Sequence, residues 1–268
     1  MKVISIYSRN SLKRSLVYKW DIWISVLSGI FNILGMLFLW SVVYKNSGKS
    51  SIGGYNFNSI VLYTLMSNLT AMIINVDIAR IISNEVKSGE ITNSFIRPVS
   101  YITKLVGEGI GHILFNLIML FSPIISILII YMNIFNIKSE ITLGSILSYT
   151  VSLLFSIIIN FEISILVGFC SFYVNYIWGF ILLENAILTI VTGQLFPLNF
   201  YPDKVVKFLE ITPFYYINFG PVSILLNKFS KYNSIRILLI QSVWCIILAI
   251  FVSIIYNKAK TRLQINGS

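Results

Sequence analysis

The sequence is poor in charged residues, cysteine and histidine. Asp, Glu, Lys and Arg together make up 11% of its 268 residues, whereas 56% are hydrophobic. A soluble domain has roughly 25% charged residues, so this composition excludes an ordinary soluble protein. The two cysteines, Cys170 and Cys245, lie in apolar runs and predict no disulfide framework.

A phosphate-binding loop is also missing. Gly48, Lys49 and Ser50 resemble the end of such a loop, but the motif needs another glycine five residues before Gly48, where this chain has Val43. The preceding segment is a long apolar run and not a strand. We therefore expect no nucleotide site and no cofactor in this chain.

The formal net charge of +10 does not indicate a nucleic-acid partner. Its basic residues are scattered among the ends of loops and are not gathered on one polar domain. Lys and Arg in such positions are typical of anchors to anionic lipid headgroups. Membrane lipids are thus the partners that the charge pattern predicts.

Long apolar runs predict an all-α integral membrane protein, because about 20 apolar helical residues cross a hydrocarbon layer of about 30 Å. A single transmembrane domain accounts for residues 1–268. Residues 2–19 are predicted as an amphipathic interfacial helix with an apolar stripe of Ile4, Leu12, Leu16 and Trp20. The six predicted spans are about 21–44, 57–82, 105–133, 143–172, 176–196 and 236–256.

Residues 193–228, before the last predicted span, combine high apolar content with four prolines: Pro197, Pro202, Pro213 and Pro221. Prolines at this density exclude one continuous helix. An apolar segment with irregular backbone must be sheltered by protein at membrane depth. We therefore predict an outer re-entrant or interfacial segment of short helices.

The distribution of basic residues predicts the orientation. With six spans, 12 of the 20 Lys and Arg residues fall on the side of the two termini and 8 on the other side. The more basic side is usually cytoplasmic. The prediction is a multi-pass cell-membrane protein with both termini in the cytoplasm.

The loop between the second and third predicted spans, residues 83–100, is unusually polar. A short helix from Ser83 toward Ser94 is expected along the membrane surface, with Pro98 in the first turn of the next span. An ordinary solvated loop is the alternative. The residues of interest are Glu85, Lys87, Gly89, Glu90, Ile91, Phe95, Arg97 and Pro98.

Polar residues also occur inside the predicted spans: Asp77, Arg80, Glu108, His112, Glu162 and Glu184. Asp77 and Arg80 are spaced to pair on one helix face. We interpret Glu108 and His112 as a structural pair, since a metal ion needs three or four ligands. Glu162 and Glu184 form either a polar patch facing a transport path or interhelical hydrogen bonds, aided by Asn160 and Asn185.

Three features together resemble the permease subunits of type-2 ATP-binding cassette (ABC) exporters. They are the basic amphipathic start, the sequence EVKSGEITNSFIRPVSY after the second span, and the late FPLNFYP followed by PF and GP. The resemblance implies a half-transporter that pairs with an identical or sister permease. It also implies two cytoplasmic ATPase subunits that carry ATP and Mg²⁺, because this chain has no Walker motif.

The resemblance further implies that residues 83–100 are a coupling helix, and we call them the coupling segment. Ile91 and Phe95 are expected to enter an apolar groove on the ATPase, and Glu85, Lys87, Glu90 and Arg97 to fix the register by charge pairs. A hydrophobic or amphipathic cargo is expected, such as a peptide antibiotic, a drug or a lipid. The alternative function is a non-transporting immunity or sensor component that binds a partner.

Overall fold

The computed structural model is helical throughout the part of the chain that it describes, apart from one small β-hairpin. It describes residues 2–17, 19–96, 98–121, 125–126, 129, 141–174 and 177–266. The predicted kink at Pro123 therefore lies outside the described residues. So does most of the second half of the predicted span 105–133.

The first part of the chain contains α1 (Lys2–Val17), α2 (Lys19–Ser47), β1 (Ser51–Ile52), β2 (Tyr55–Asn56), α3 (Phe57–Ile74), α4 (Ile78–Ser88), α5 (Glu90–Ile96) and α6 (Tyr101–Asn116), which continues as a π turn (Leu117–Phe121). The second part contains α7 (Leu143–Phe169), α8 (Trp178–Val191), α9 (Asp203–Leu209), α10 (Phe219–Leu225) and α11 (Lys231–Asn266), with short 3₁₀ turns at Cys170–Phe172, Leu198–Phe200 and Phe214–Tyr216.

Five described helical stretches are long and apolar enough to cross a membrane: Val26–Ser47, Phe57–Ser88, Tyr101–Met119, Leu143–Phe172 and Lys231–Lys260. The predicted span 176–196 contains α8, which has 14 residues. A helix of that length reaches about 21 Å, less than the hydrocarbon layer of about 30 Å. The all-α membrane fold is confirmed, and the count of six spans stays a prediction.

The helix predicted over 57–82 is in fact two helices. The first, α3, ends at Ile74, and Asn75 has extended backbone angles (φ −73°, ψ 105°). The second, α4, begins at Ile78 after the polar Asp77. It is amphipathic, and its apolar face is buried against α7. Hydropathy did not reveal this break, because the buried face of α4 is as apolar as a membrane helix. The predicted span therefore continued through it.

Residues 51–56, between the first two predicted spans, form a β-hairpin. Ile52 pairs with Tyr55 across a two-residue turn at Gly53 and Gly54. Both glycines have positive φ (55° and 81°), as the favoured two-residue hairpin turns require. The hairpin brings Tyr55 into the core at this end of the bundle, which we call the outer end.

The predicted outer segment, residues 193–228, folds as the short helices α9 and α10 and two 3₁₀ turns. Hydrogen bonds to α3 anchor it: the Tyr63 hydroxyl donates to the Gly193 carbonyl (2.6 Å), and Asn218 Nδ2 donates to Ser67 Oγ (3.0 Å). Its aromatic and aliphatic side chains join Tyr55 and Tyr63 in one buried cluster. The segment is thus built of short helices and turns packed on α3, and its re-entrant or interfacial placement in the membrane stays a prediction.

A buried glutamine joins this outer segment to two long helices. Gln241 of α11 is 0% exposed, and its Nε2 donates to the Tyr216 carbonyl (2.8 Å) and to Ser156 Oγ of α7 (3.1 Å). Ser152 Oγ in turn donates to Gln241 Oε1 (2.9 Å). Polar side chains that bond across helices stabilise packing in an apolar solvent. Three parts of the chain therefore meet at Gln241.

The opposite end of the bundle, the coupling end, holds α1, the coupling segment and the C-terminal half of α11. A second buried cluster there joins Ile82 of α4, Ile91 of α5, Leu105 of α6 and Ala259 of α11. The chain therefore begins and ends beside the coupling segment. The side of the membrane on which this end lies stays a prediction.

The packing of α1 differs from the prediction. Its buried residues are Ser8 and Ser11, and Leu16 of the predicted stripe is 36% exposed. Ser8 and Ser11 lie against Gly111 of α6, where an added Cβ would come within 2.5 Å of Ser11 Cβ, and Ile4 and Tyr7 lie against Gly107. Small residues four apart let two backbones approach closely. The glycines of α6 therefore bring it close to the backbone of α1 at Ile4 and Ser8, while Leu16 of the predicted stripe stays exposed.

Candidate coupling site and intramembrane polar residues

The coupling segment is two short helices, not the single helix predicted from Ser83 to Ser94. Gly89 has φ +73° and ends α4, and α5 begins at Glu90. The left-handed region is strained for residues with a side chain, so glycine is the residue expected at this break. Pro98 lies in a bend before Ser100, the N-cap of α6. It is therefore outside the first turn of α6, contrary to the prediction.

The inner face of the segment is packed into the bundle. Ile91 is 2% exposed and belongs to the buried cluster at the coupling end. Phe95 is half-buried and stacks between Tyr101 of α6 and Tyr256 of α11, with ring centroids 5.3 and 5.5 Å apart. In this structure Ile91 and Phe95 fix the segment to α6 and α11, and their insertion into a partner stays a prediction.

The outer face of the segment exposes Lys87, Glu90 and Ile96. Ile96 was not singled out from the sequence, yet its side chain is 77% exposed. From a single sequence, an exposed isoleucine at the end of a short helix cannot be distinguished from a buried one. Arg97, which follows it, lies outside the described residues.

Glu85 forms a buried ion pair and does not face a partner. Its Oε1 contacts Lys104 Nζ of α6 at 2.5 Å, and the two side chains are only 11% and 14% exposed. Lys104 also donates to Ser94 Oγ of α5 (3.2 Å). Lys104 thereby ties both halves of the coupling segment to α6. The sequence does not reveal the role of Lys104, because its partner Glu85 lies 19 positions away, beyond the spacing of a helical pair.

Glu108 is paired with α1. Its carboxylate is 2.9 Å from Arg14 Nη2, and Ser11 Oγ donates to its backbone carbonyl (3.0 Å). Among the described side chains, the predicted partner His112 makes no hydrogen bond with Glu108. A polar cavity of about 710 Å³ lies between α1, the coupling segment and α6, and both Glu90 and Glu108 line it. The start of the chain is therefore one wall of the coupling site.

The predicted pairing of Asp77 with Arg80 is confirmed. Arg80 Nε lies 2.9 Å from Asp77 Oδ2, and the side chains are 58% and 40% exposed. The pair sits at the first turn of α4, directly after the break that ends α3. It marks the point where the chain turns from the long helix into the coupling segment.

Glu162 and Glu184 do not share one polar patch. Asn160 donates to the Ile74 carbonyl at the end of α3 (3.1 Å), which is an interhelical bond of the kind predicted. Asn160 and Asn185 line a small pocket of about 140 Å³ with Asn218. Glu162, one half-turn further along α7, instead lines an apolar cavity of about 590 Å³ between α6, α7 and α11.

Glu162 is 8% exposed, and its Oε2 has no hydrogen-bond partner among the described residues. Glu184 is half-buried on α8, which packs against α4 and α7. In the described part of the chain, no group of three or more His, Cys, Asp or Glu side chains could hold a metal ion. The two carboxylates therefore lie in different surroundings, and only Glu162 faces a cavity of substantial size.

The fold and the site together define a polytopic helical membrane protein with a polar, two-helix segment at one end of its bundle. Residues 30–267 match the family described as ABC-2 family transporter protein, so the chain belongs to that family. It is a membrane permease of an ABC transporter, and such permeases work with an ATP-binding cassette ATPase. No curated protein is significantly similar to the chain.

Proposed function

We propose that this permease exports a hydrophobic or amphipathic molecule, such as a peptide antibiotic, a drug or a lipid. The energy comes from separate ATPase subunits that bind ATP and Mg²⁺. The observation that carries the proposal is the two-faced coupling segment. Its inner face is fixed to α6 and α11, and its outer face presents Glu90 and the 77% exposed Ile96. A rigidly held segment with an exposed charged and apolar surface suits transmission of movement from a partner.

The contact with the ATPase is proposed for the outer face alone. Ile96 supplies the apolar group that enters a groove on the ATPase, while Lys87, Glu90 and Arg97 set the register through charge pairs. Glu85 acts indirectly, because its pair with Lys104 holds the segment in place. This assignment transfers the apolar role from Ile91 and Phe95 to Ile96.

Both termini lie in the cytoplasm in this proposal. Support comes from the coupling end, where α1, the coupling segment and the C-terminal half of α11 meet. A cytoplasmic ATPase can reach the coupling segment only in this orientation. The excess of Lys and Arg predicted for the same side agrees with it.

The permease works as a dimer, either with a second copy or with a sister permease, and is surrounded by membrane lipids. Support comes from α2, whose side chains Phe31 and Phe38 are 70% and 72% exposed. Exposed aromatic and aliphatic residues on a spanning helix pack against lipid tails or against another helix. The exposed face of α2 can therefore contact either a second permease or the surrounding lipid.

The test is co-purification of the permease with the ATPase encoded beside it, followed by measurement of substrate-stimulated ATP hydrolysis and transport in vesicles. Glu90→Ala and Arg97→Ala are expected to leave expression and basal hydrolysis intact and to lower the transport obtained per ATP. Asp203→Ala, which removes an exposed carboxylate at the outer end, is the matched control. Full coupling in both coupling-segment variants would contradict the assignment. Failure to bind any ATPase would favour the immunity or sensor function.

A further inference from the structure

The cavity beside Glu162 lies at the coupling half of the bundle, between three helices. Val106 and Ile113 of α6, Phe161 of α7 and Val252 of α11 form much of its wall. Its volume of about 590 Å³ lies within the range of about 300–1,000 Å³ that is usual for sites of drug-sized molecules. A mainly apolar wall selects a molecule with an apolar body.

Glu162 is the only carboxylic acid among the described residues of this wall, and no Lys, Arg or His side chain lines it. More than nine-tenths of Glu162 is buried, and its Oε2 has no described hydrogen-bond partner. Ionising a buried carboxyl group is costly unless a counter-charge offsets its lost solvation, and a bound cation would supply that counter-charge. The described wall thus provides one acidic group and no cationic side chain to pair with its ionised form.

We propose that this cavity binds a lipophilic cation, with the apolar body against the walls and the positive group at Glu162. Both requirements come from the site: the size and apolar wall of the cavity select the apolar body, and Glu162, the one acidic group of the described wall, selects the positive charge. That the bound molecule is the cargo rests on the proposed export function. Binding itself does not depend on that function.

The cavity is also in contact with the coupling segment. Tyr256 lines its wall and stacks on Phe95 of α5 at 5.5 Å between ring centroids. A bound molecule therefore touches a side chain that holds the coupling segment in place. Through Tyr256, binding of a molecule in the cavity can therefore affect the coupling segment and, through it, the ATPase.

The experiment measures equilibrium binding of tetraphenylphosphonium to the purified permease in phosphatidylcholine nanodiscs, with empty nanodiscs as the blank. Tetraphenylborate, an anion of nearly the same shape, tests the role of charge. We expect the cation to bind and the anion to bind far more weakly. Glu162→Gln should weaken cation binding by at least about 30-fold, the loss typical of removing one partner of a buried charge pair. Glu184→Gln, the same change outside this cavity, should leave binding unchanged.

Equal binding of the cation by wild type and Glu162→Gln, or equal binding of cation and anion, would overturn the proposal. If Glu162→Gln does not fold, Val106→Trp fills the cavity and keeps the carboxylate, and retained cation binding in that variant would also overturn it. Binding without stimulation of the ATPase would leave the site in place and contradict export. Stimulation by another substrate without tetraphenylphosphonium binding would support export and refute the site.

Discussion

The pair of Glu85 and Lys104 gives the sharpest test of how the coupling segment is held. Lys104→Met keeps the length and apolar stem of the side chain and removes the charge. It leaves a carboxylate that is 11% exposed, whose Oε2 already has no hydrogen-bond partner among the described residues. Removing one partner of a buried ion pair typically costs about 3–5 kcal/mol. At about 2–4 °C per kcal/mol, the unfolding midpoint should fall by roughly 6–20 °C.

The measurement is thermal unfolding in detergent followed by far-UV circular dichroism. The double variant Glu85→Met with Lys104→Met should recover to within about 1 kcal/mol of wild type, since an apolar pair removes the unpaired charge. Arg80→Ala is the matched control, because it breaks an exposed pair that contributes about 1 kcal/mol or less. A wild-type midpoint for Lys104→Met, or a double variant no more stable than the single one, would refute the reasoning.

Three further predictions follow from close contacts and backbone geometry. Gly111→Ala should destabilise the permease by about 1–3 kcal/mol in the same unfolding assay, because the new Cβ meets Ser11, whereas Gly35→Ala, which meets no atom within 4 Å, should not. Gln241→Leu should cost about 1–3 kcal/mol through its lost interhelical bonds, and a midpoint equal to wild type would contradict this. Gly89→Ala should cost about 1–2 kcal/mol at its φ of +73° and lower coupling in the transport assay; unchanged coupling would show that the break between α4 and α5 is unimportant.

Hydropathy predicted the long helices well because burial in lipid depends on composition and length. The predicted spans 143–172 and 236–256 coincide with the apolar parts of α7 and α11. The pairing of Asp77 with Arg80 was predictable because it depends only on helical spacing. The break at Asn75 was not, because the following helix buries an equally apolar face.

The sequence indicated the position of the candidate coupling site, but it did not indicate which face of that segment is buried. A polar island between spans marks its position, yet which face of α5 is buried depends on Tyr101 and Tyr256, from α6 and α11. The pairs of Glu85 with Lys104 and of Glu108 with Arg14 join residues far apart in the chain. A usable signal was present for α1, since Gly107 and Gly111 have the spacing of small residues at helix contacts.

The last helix has a mechanical consequence. The 36 residues of α11 contain no proline or glycine, and a helix of that length extends about 54 Å. Gln241 of this helix holds the outer segment, and Tyr256, about 22 Å further along, holds the coupling segment. Because the helix between them has no hinge, the two ends of the permease are joined by a stiff rod. If the ATPase acts on α5 as proposed, we expect α11 to tilt or shift as a whole and the outer segment to move with it.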